Sequence, residues 1–142
     1  MGNLGMIEEA AQEFDTSHVV FFESTPDPAV LKPNQVGVNI RVFNQLKLHF
    51  KRIRHNSAYR ILADCCQDIG DEGRIGSVED SARRLEIHVT TIARWRTKFA
   101  DADLLVRLNG NGAYGVSPKV AVRIGADGKP IKARRRKNHF QF

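Results

Sequence analysis

The stretch from Ser77 to Pro118 constrains the fold of this chain most, because two helical patterns, a tight turn and a glycine-rich hairpin pattern follow one another in it. Ser77 and Asp80 form a Ser-x-x-Asp capping box, with apolar residues at helical spacing behind it. We therefore predict a first helix at about 78–85. A turn of three residues follows, and its only apolar side chain, Ile87, is expected to fill the gap between two crossing helices.

A second helix is predicted at about 89–99, where three apolar residues lie on one stripe. These residues are Ile92, Trp95 and Phe99. The other faces carry small hydroxyls and cations, which are groups that bases and phosphates accept as partners. Residues 104–108 and 113–117 are predicted as two strands joined by the Asn-Gly-Asn-Gly turn at 109–112, since Asn and Gly tolerate positive φ. Pro118 ends the second strand.

Helix, turn, helix and hairpin in this order predict a winged helix-turn-helix, a mainly α fold with a small β-hairpin (α+β). Residues 74–76 are a candidate third strand beside the hairpin. Upstream, a scaffold helix is predicted from Ser57 to Ile69, capped by Asn56 and ended by Gly70. The apolar stripe of this scaffold helix consists of Ala58, Ile61, Leu62, Cys65 and Ile69.

The chain divides into three parts, an N-terminal arm at 1–40, a winged helix-turn-helix domain at 41–125 and a basic tail at 126–142. The arm is expected to be partly extended, with an apolar run at 18–22 that can form a strand. Residues 36–42 alternate in a way that fits either a strand or the start of a helix, and we expect helix from about Arg41. The region 14–50 holds more apolar residues than one small domain needs, so it is the candidate interface of a homodimer.

The positive charge of the chain is concentrated beside the helix-turn-helix pattern. The net charge is +6, and residues 1–50 carry three Lys/Arg against six Asp/Glu, whereas residues 51–142 carry nineteen against ten. Such an asymmetry indicates an anionic partner, and a protein that reads a DNA groove must neutralise phosphates. No segment is long and apolar enough to span a bilayer, and no signal-peptide pattern opens the chain. We therefore expect double-stranded DNA as the partner, with the replication or transcription machinery as a further candidate, and no membrane.

The residues that would mark an enzyme or a metal site are scattered. Cys65 and Cys66 are adjacent and have no second pair, so they predict neither a disulfide nor a zinc site. The five histidines are dispersed, and no Walker-type lysine follows the glycines. We expect a non-enzymatic protein without cofactor or metal, in a reducing, cytoplasmic compartment and associated with the nucleoid or a plasmid.

The second helix carries the candidate base contacts, which are Thr90, Thr91 and Arg94. Arg94 is suited to a bidentate contact with guanine, and the threonines can touch a thymine methyl group. Candidate phosphate contacts, which position a protein without reading sequence, are Arg83, Arg84, Arg96 and Lys98. Arg96 has an alternative role, because it lies four residues after Ile92 and can pack beside the apolar stripe.

Three further groups of residues are candidates for contact with DNA. In the hairpin, Arg107 and Asn111 can reach a minor groove or the flanking backbone. The basic tail adds sequence-independent phosphate affinity and is expected to be disordered when free. Its cations are Lys132, Arg134, Arg135, Arg136 and Lys137. His88 has three open roles, since it can cap the second helix, touch a phosphate or face solvent.

The order of these elements, with the ending Gly-Ala-Tyr-Gly-Val-Ser-Pro, resembles the RepL-type plasmid replication proteins over about 42–125. Those proteins have a winged helix whose return strand ends in a Tyr-x-x-x-Pro motif, matched here by Tyr114 and Pro118. The resemblance implies binding to an origin and initiation of replication on a plasmid or similar small replicon. The turn departs from the family pattern, with Glu86 and His88 in place of Gly and Ser, which leaves the capping of the second helix open.

Two alternatives accompany the replication hypothesis. A winged-helix repressor of transcription would share the same pattern and the same DNA contacts, because both functions need a helix in the major groove. An adaptor that binds proteins instead of DNA would not depend on Arg94, so the effect of neutralising this residue separates it from the other two. Paired half-sites raise specificity, which favours a homodimer for either DNA-binding function.

Overall fold

The computed structural model describes residues 13–49, 57–70, 72–108 and 113–131. Within these residues the fold is α+β, with four α-helices, a four-stranded mixed sheet and a two-stranded hairpin. The helices are α1 (Ile40–His49), α2 (Ser57–Gln67), α3 (Val78–Leu85) and α4 (Val89–Asp101). The strands are β1 (Val19–Phe22), β2 (Val36–Asn39), β3 (Leu105–Arg107), β4 (Tyr114–Val116), β5 (Ala121–Ile124) and β6 (Pro130–Ile131).

The four-stranded sheet has the order β1-β2-β5-β6. A strand was predicted at β1 and left open as an alternative at β2, whereas β5 and β6 were not predicted. Strand β1 runs parallel to β2 with Val19 opposite Val36, and a short 3-10 helix at Pro28–Val30 lies in the crossover. Strand β5 pairs antiparallel with β2 and with β6. Gly37 is needed in β2, because a Cβ there would lie 2.8 Å from the Phe22 ring.

Residues 13–39, which were assigned to the N-terminal arm, contribute buried side chains to the core and two strands to the sheet. Phe14 is 5% exposed, and its ring contacts Phe21 and Phe43 edge to face at centroid distances of 5.4 and 5.2 Å. The Gln67 side chain holds this segment to α2, since it accepts a hydrogen bond from the Asp15 N–H and donates one to the Glu13 carbonyl, both 2.8 Å. Phe14, Phe21 and Phe43, which lie in the region proposed as a dimer interface, therefore contact one another within one chain.

The described part of the segment that was assigned to the basic tail, residues 126–131, belongs to the sheet. Residues 126–131 form the turn and second strand of the β5–β6 hairpin, in which Gly128 has a φ of +81°. This hairpin extends the sheet, so the ordered fold continues past the winged helix-turn-helix pattern. The tail cations, from Lys132 to Lys137, lie outside the described residues.

The alternating residues 36–42 form a strand followed by the start of a helix, which are the two structures that their pattern allowed. Strand β2 ends at Asn39, and α1 begins at Ile40, one residue before the expected start. The Asn39 side chain makes this change possible by accepting from the Arg41 N–H at 3.1 Å and donating to the Lys119 carbonyl at 3.0 Å. The predicted scaffold helix is present as α2, which ends at Gln67, two residues before the predicted end at Ile69. All five residues of the predicted apolar stripe are buried. Asn56, its predicted cap, lies outside the described residues.

Candidate nucleic-acid interface

The predicted capping box is present at the start of α3. The Ser77 hydroxyl accepts a hydrogen bond from the Asp80 N–H at 3.2 Å, and two acidic residues lie in the first turn. A carboxylate near a helix N-terminus is favourable because the helix dipole is positive there. Helix α3 therefore begins and ends where the sequence predicts, at 78–85.

The turn between α3 and α4 is built on Glu86 in the left-handed conformation, with φ 56° and ψ 42°. The Ile87 N–H donates to the Ala82 carbonyl at 3.2 Å, a six-to-one bond typical of a Schellman ending. Ile87 is half-buried and packs on the core, as expected for the residue between the two helices. A position usually taken by glycine thus carries a glutamate without changing the turn.

His88 caps α4, which is one of the three roles that the sequence left open, and the residue is also exposed to solvent. Its Nδ1 accepts a hydrogen bond from the Thr90 N–H at 3.1 Å, and the residue has the extended backbone of an N-cap. Helix α4 is therefore capped by a histidine side chain. Along the helix, Ile92 and Phe99 are buried and Trp95 is half-buried against the core, so the predicted apolar stripe is confirmed.

The outer face of α4 carries exposed residues at helical spacing. These residues are Thr90, Ala93, Arg94 and Thr97. Thr90 and Arg94 are four residues apart and so share one side of the helix, whereas Thr91 is half-buried. In the described part of the chain, the Arg94 guanidinium makes no ion pair or hydrogen bond. Of the three predicted base contacts, two are therefore presented together to solvent.

Arg96 lies in the core, which corrects its assignment as a phosphate contact. It is 2% exposed and donates hydrogen bonds to the Gly76 carbonyl and the Ser81 hydroxyl, each at 2.8 Å. Phosphate cannot reach a side chain that is covered in this way. The alternative of packing beside the apolar stripe is confirmed, although the guanidinium adds hydrogen bonds that the sequence pattern did not indicate.

The two arginines of α3 differ in how firmly their charge is held. Arg84 donates to both Asp64 oxygens at 2.9 Å and to Asp68 at 3.1 Å, and these hydrogen bonds, above all to Asp64, raise the pKa of the guanidinium. A phosphate would have to displace two carboxylates there. Arg83 is far more exposed, and among the described residues its one carboxylate partner is Asp80, at 3.1 Å, so it is the freer of the two.

Lys98 stays exposed on α4 and lies against an aromatic ring. Its Nζ is 4.6 Å from the centroid of the Trp95 ring, within cation–π range. The stacked position directs the ammonium along the helix surface without burying it. Lys98 therefore remains accessible to a phosphate.

The predicted hairpin is confirmed as β3 and β4, with Arg107 opposite Tyr114. Arg107 is exposed and pairs with Asp101 at the end of α4, 2.8 Å away, and this hydrogen bond raises its pKa. The candidate third strand is reduced to one bridge between Arg74 and Gly115, with the Ile75 N–H donating to the Tyr114 carbonyl. Asn111 and the hairpin turn lie outside the described residues.

Sequence reasoning missed three exposed residues that extend this surface. Ala93 and Thr97 continue the Thr90 face at spacings of three and seven, a periodicity that could have found them. Arg74 is an exposed cation on the segment that pairs with β4. We call the surface formed by Thr90, Ala93, Arg94 and Thr97 the α4 face.

Comparisons with known proteins identify no relative of this chain: no family model, no curated protein and no solved structure matches it. Among the described residues, none of the helices has the length and apolar character needed to cross a membrane.

Proposed function

We propose that this protein binds double-stranded DNA as a winged helix-turn-helix protein, with α4 in the major groove and the β3–β4 hairpin as the wing. The observation that carries the proposal is the α4 face, where Arg94 stands exposed and unpaired among the described residues between small side chains. Small neighbours let the helix approach base edges closely. An arginine whose donors are free can make the bidentate contact that guanine accepts.

The charges around the α4 face support the same proposal. Lys98 on α4, Arg83 on α3 and Arg74 beside the hairpin are all exposed. Cations at these places would contact the phosphates on either side of a groove occupied by α4, which positions the helix without reading sequence. Since Arg84 and Arg107 are paired with carboxylates, their contribution to DNA affinity is expected to be smaller.

For the biological process we propose initiation of replication on a plasmid or similar small replicon, on the basis of the sequence resemblance to RepL-type proteins alone. Repression of transcription is the second DNA-binding role, since the same α4 face would serve an operator. The geometry does not favour the adaptor, because the described residues include only two large apolar side chains that are exposed, Val30 and Val89. Docking of proteins commonly uses a contiguous apolar patch.

The test is selection of duplexes from a random pool, followed by binding of single variants to the enriched sequence. We expect wild type to enrich a consensus and Arg94→Ala to lose about 1–3 kcal/mol of binding free energy, with relaxed choice at one base pair. Lys32→Ala is the matched control, because it removes the same charge from the exposed loop before β2. It should bind with nearly wild-type affinity and unchanged selectivity.

Two outcomes would refute the proposal. The first is an Arg94→Ala variant that binds the consensus as tightly as wild type, which would mean that α4 does not read it. The second is a wild type that enriches no sequence and loses its binding when Lys132 to Lys137 are deleted. Binding would then come from the basic tail alone, and the adaptor would become the better hypothesis.

A further inference from the structure

Arg96 is a buried charge at a helix crossing. Its guanidinium lies on the inner side of α4 and reaches two parts of the chain, the Gly76 carbonyl before α3 and the Ser81 hydroxyl within α3, each at 2.8 Å. The Ser77 carbonyl lies further away, at 3.5 Å. Its Nε has no hydrogen-bond partner in the described part of the chain. Burial of a guanidinium with an incomplete set of partners is unfavourable, so we ask what else this residue provides.

The hydrogen bonds continue from Ser81 into α2. The Ser81 hydroxyl donates to Asp64 at 2.7 Å, and Asp64 also accepts two hydrogen bonds from Arg84. Arg84 bonds Asp68, which accepts from the Gly76 N–H at 2.8 Å. Gly76 is thus held through both its carbonyl and its N–H, and a Cβ there would collide with the Asp68 carboxylate. The network closes on itself and joins α2, α3 and α4.

Directional bonds restrict orientation in a way that apolar contacts do not. The side chains between α3 and α4, such as Ile87 and Ile92, pack without a preferred angle because the hydrophobic effect is non-directional. A planar guanidinium bound to two fixed acceptors allows little rotation of its helix. Buried ionic groups contribute little net stability, but in some proteins they specify one arrangement.

We infer that Arg96 is a positioning residue for the α4 face, an inference that rests on the proposed function. Arg96 and Arg94 are two residues apart, so their side chains leave α4 in directions about 200° apart. Arg96 points inward and fixes the rotation and crossing angle of α4. This rotation in turn sets the direction in which the exposed Arg94 points. The network of Arg96, Ser81 and Asp64 therefore determines which base edges Arg94 meets.

The first measurement is the orientation of α4 without DNA. Nitroxide labels are placed through Glu79→Cys on α3 and Ala93→Cys on α4, both exposed positions. Cys65 and Cys66 are buried and remain unlabelled in the native protein. Arg96→Met, similar in length and without donors, should shift or broaden the distance distribution. Ser81→Ala removes one link, leaves the guanidinium in place and supplies a second measurement if Arg96→Met does not fold.

The second measurement is selectivity, taken as the ratio of Kd values for a scrambled and an enriched duplex. In both variants this ratio should fall at least about fivefold, which is the discrimination that a single bidentate base contact supplies. Phe14→Leu is the control, since it weakens the core away from α4. If Arg96 only stabilised the fold, its substitution would lower the folded fraction and raise both Kd values by the same factor, so the ratio would not change. This is the result expected for Phe14→Leu.

The outcomes separate this inference from the proposed function. An unchanged distance distribution in both Arg96→Met and Ser81→Ala overturns the inference, whatever happens to DNA binding. A shifted distribution with an unchanged Kd ratio overturns it as well, because orientation would then not affect reading. A wild type that enriches no sequence overturns the proposed function, and the distances still decide whether Arg96 orients α4.

Discussion

Glu86→Gly should stabilise this protein, although Glu86 is exposed and lies in a turn with well-formed backbone hydrogen bonds. Its φ of 56° is left-handed, a conformation that costs an L-residue roughly 1–2 kcal/mol. Glycine removes this strain and loses roughly 0.5–1 kcal/mol more conformational entropy on folding. The Glu86 side chain makes no ion pair or hydrogen bond to the described residues, so little else changes. The net gain is about 0.5–1 kcal/mol, or about 2–4 °C in Tm.

The measurement is the free energy of unfolding from urea denaturation, with the slope compared between variants. Glu86→Ala is the matched control, because it removes the same side chain but keeps the Cβ that creates the strain. It should stay within about 0.5 kcal/mol of wild type. If glycine and alanine have equal effects, or if glycine destabilises, the left-handed backbone is not the source of strain and the reasoning fails.

Three further predictions concern stability. His88→Ala should lose about 1 kcal/mol of unfolding free energy by removing the cap of α4, and His88→Ser should recover most of it in the same urea assay. Phe14→Ala should lose about 3–5 kcal/mol, whereas a residue in a loose arm would have almost no effect on the urea midpoint. Burial raises the pKa of the Cys65 thiol from 9.0 to about 12, although the nearby Arg96 opposes this shift. The buried neutral thiol therefore contributes fully to the free energy of unfolding below pH 9, and this contribution is lost as the pH rises towards 12. Between pH 9 and 11 the free energy of unfolding should fall less steeply with pH in Cys65→Ala than in wild type, and an equally steep fall in both proteins would contradict the raised pKa.

Local patterns in the sequence predicted the elements around the candidate interface well. Helix α3 matched its predicted bounds, and α4 began at Val89 as expected and continued to Asp101, two residues beyond the prediction. Capping boxes, apolar stripes and Asn-Gly turns act over a few residues, so they can be read without knowing the rest of the fold. The exposure of Thr90 and Arg94 follows from the same periodicity.

The arginines were predicted less well because their roles depend on distant partners. Arg84 and Arg94 look alike in a helical pattern, yet one binds Asp64, twenty residues away, and the other faces solvent. Arg96 reaches Gly76, also twenty residues away. Whether a cation is free for a phosphate is a property of the packed chain, since it depends on which carboxylates or carbonyls the fold brings beside it.

The sequence by itself determined the caps, the helical stripes, the β3–β4 hairpin and an excess of positive charge after residue 50, because each depends on residues close along the chain. Only the tertiary structure decided that β1 pairs parallel with β2 and that β5 joins them. It likewise placed Phe14 in the core and Arg96 beneath α3. Such contacts join segments that are far apart in sequence, and their free energy arises from burial and hydrogen bonds that exist only once the chain has folded.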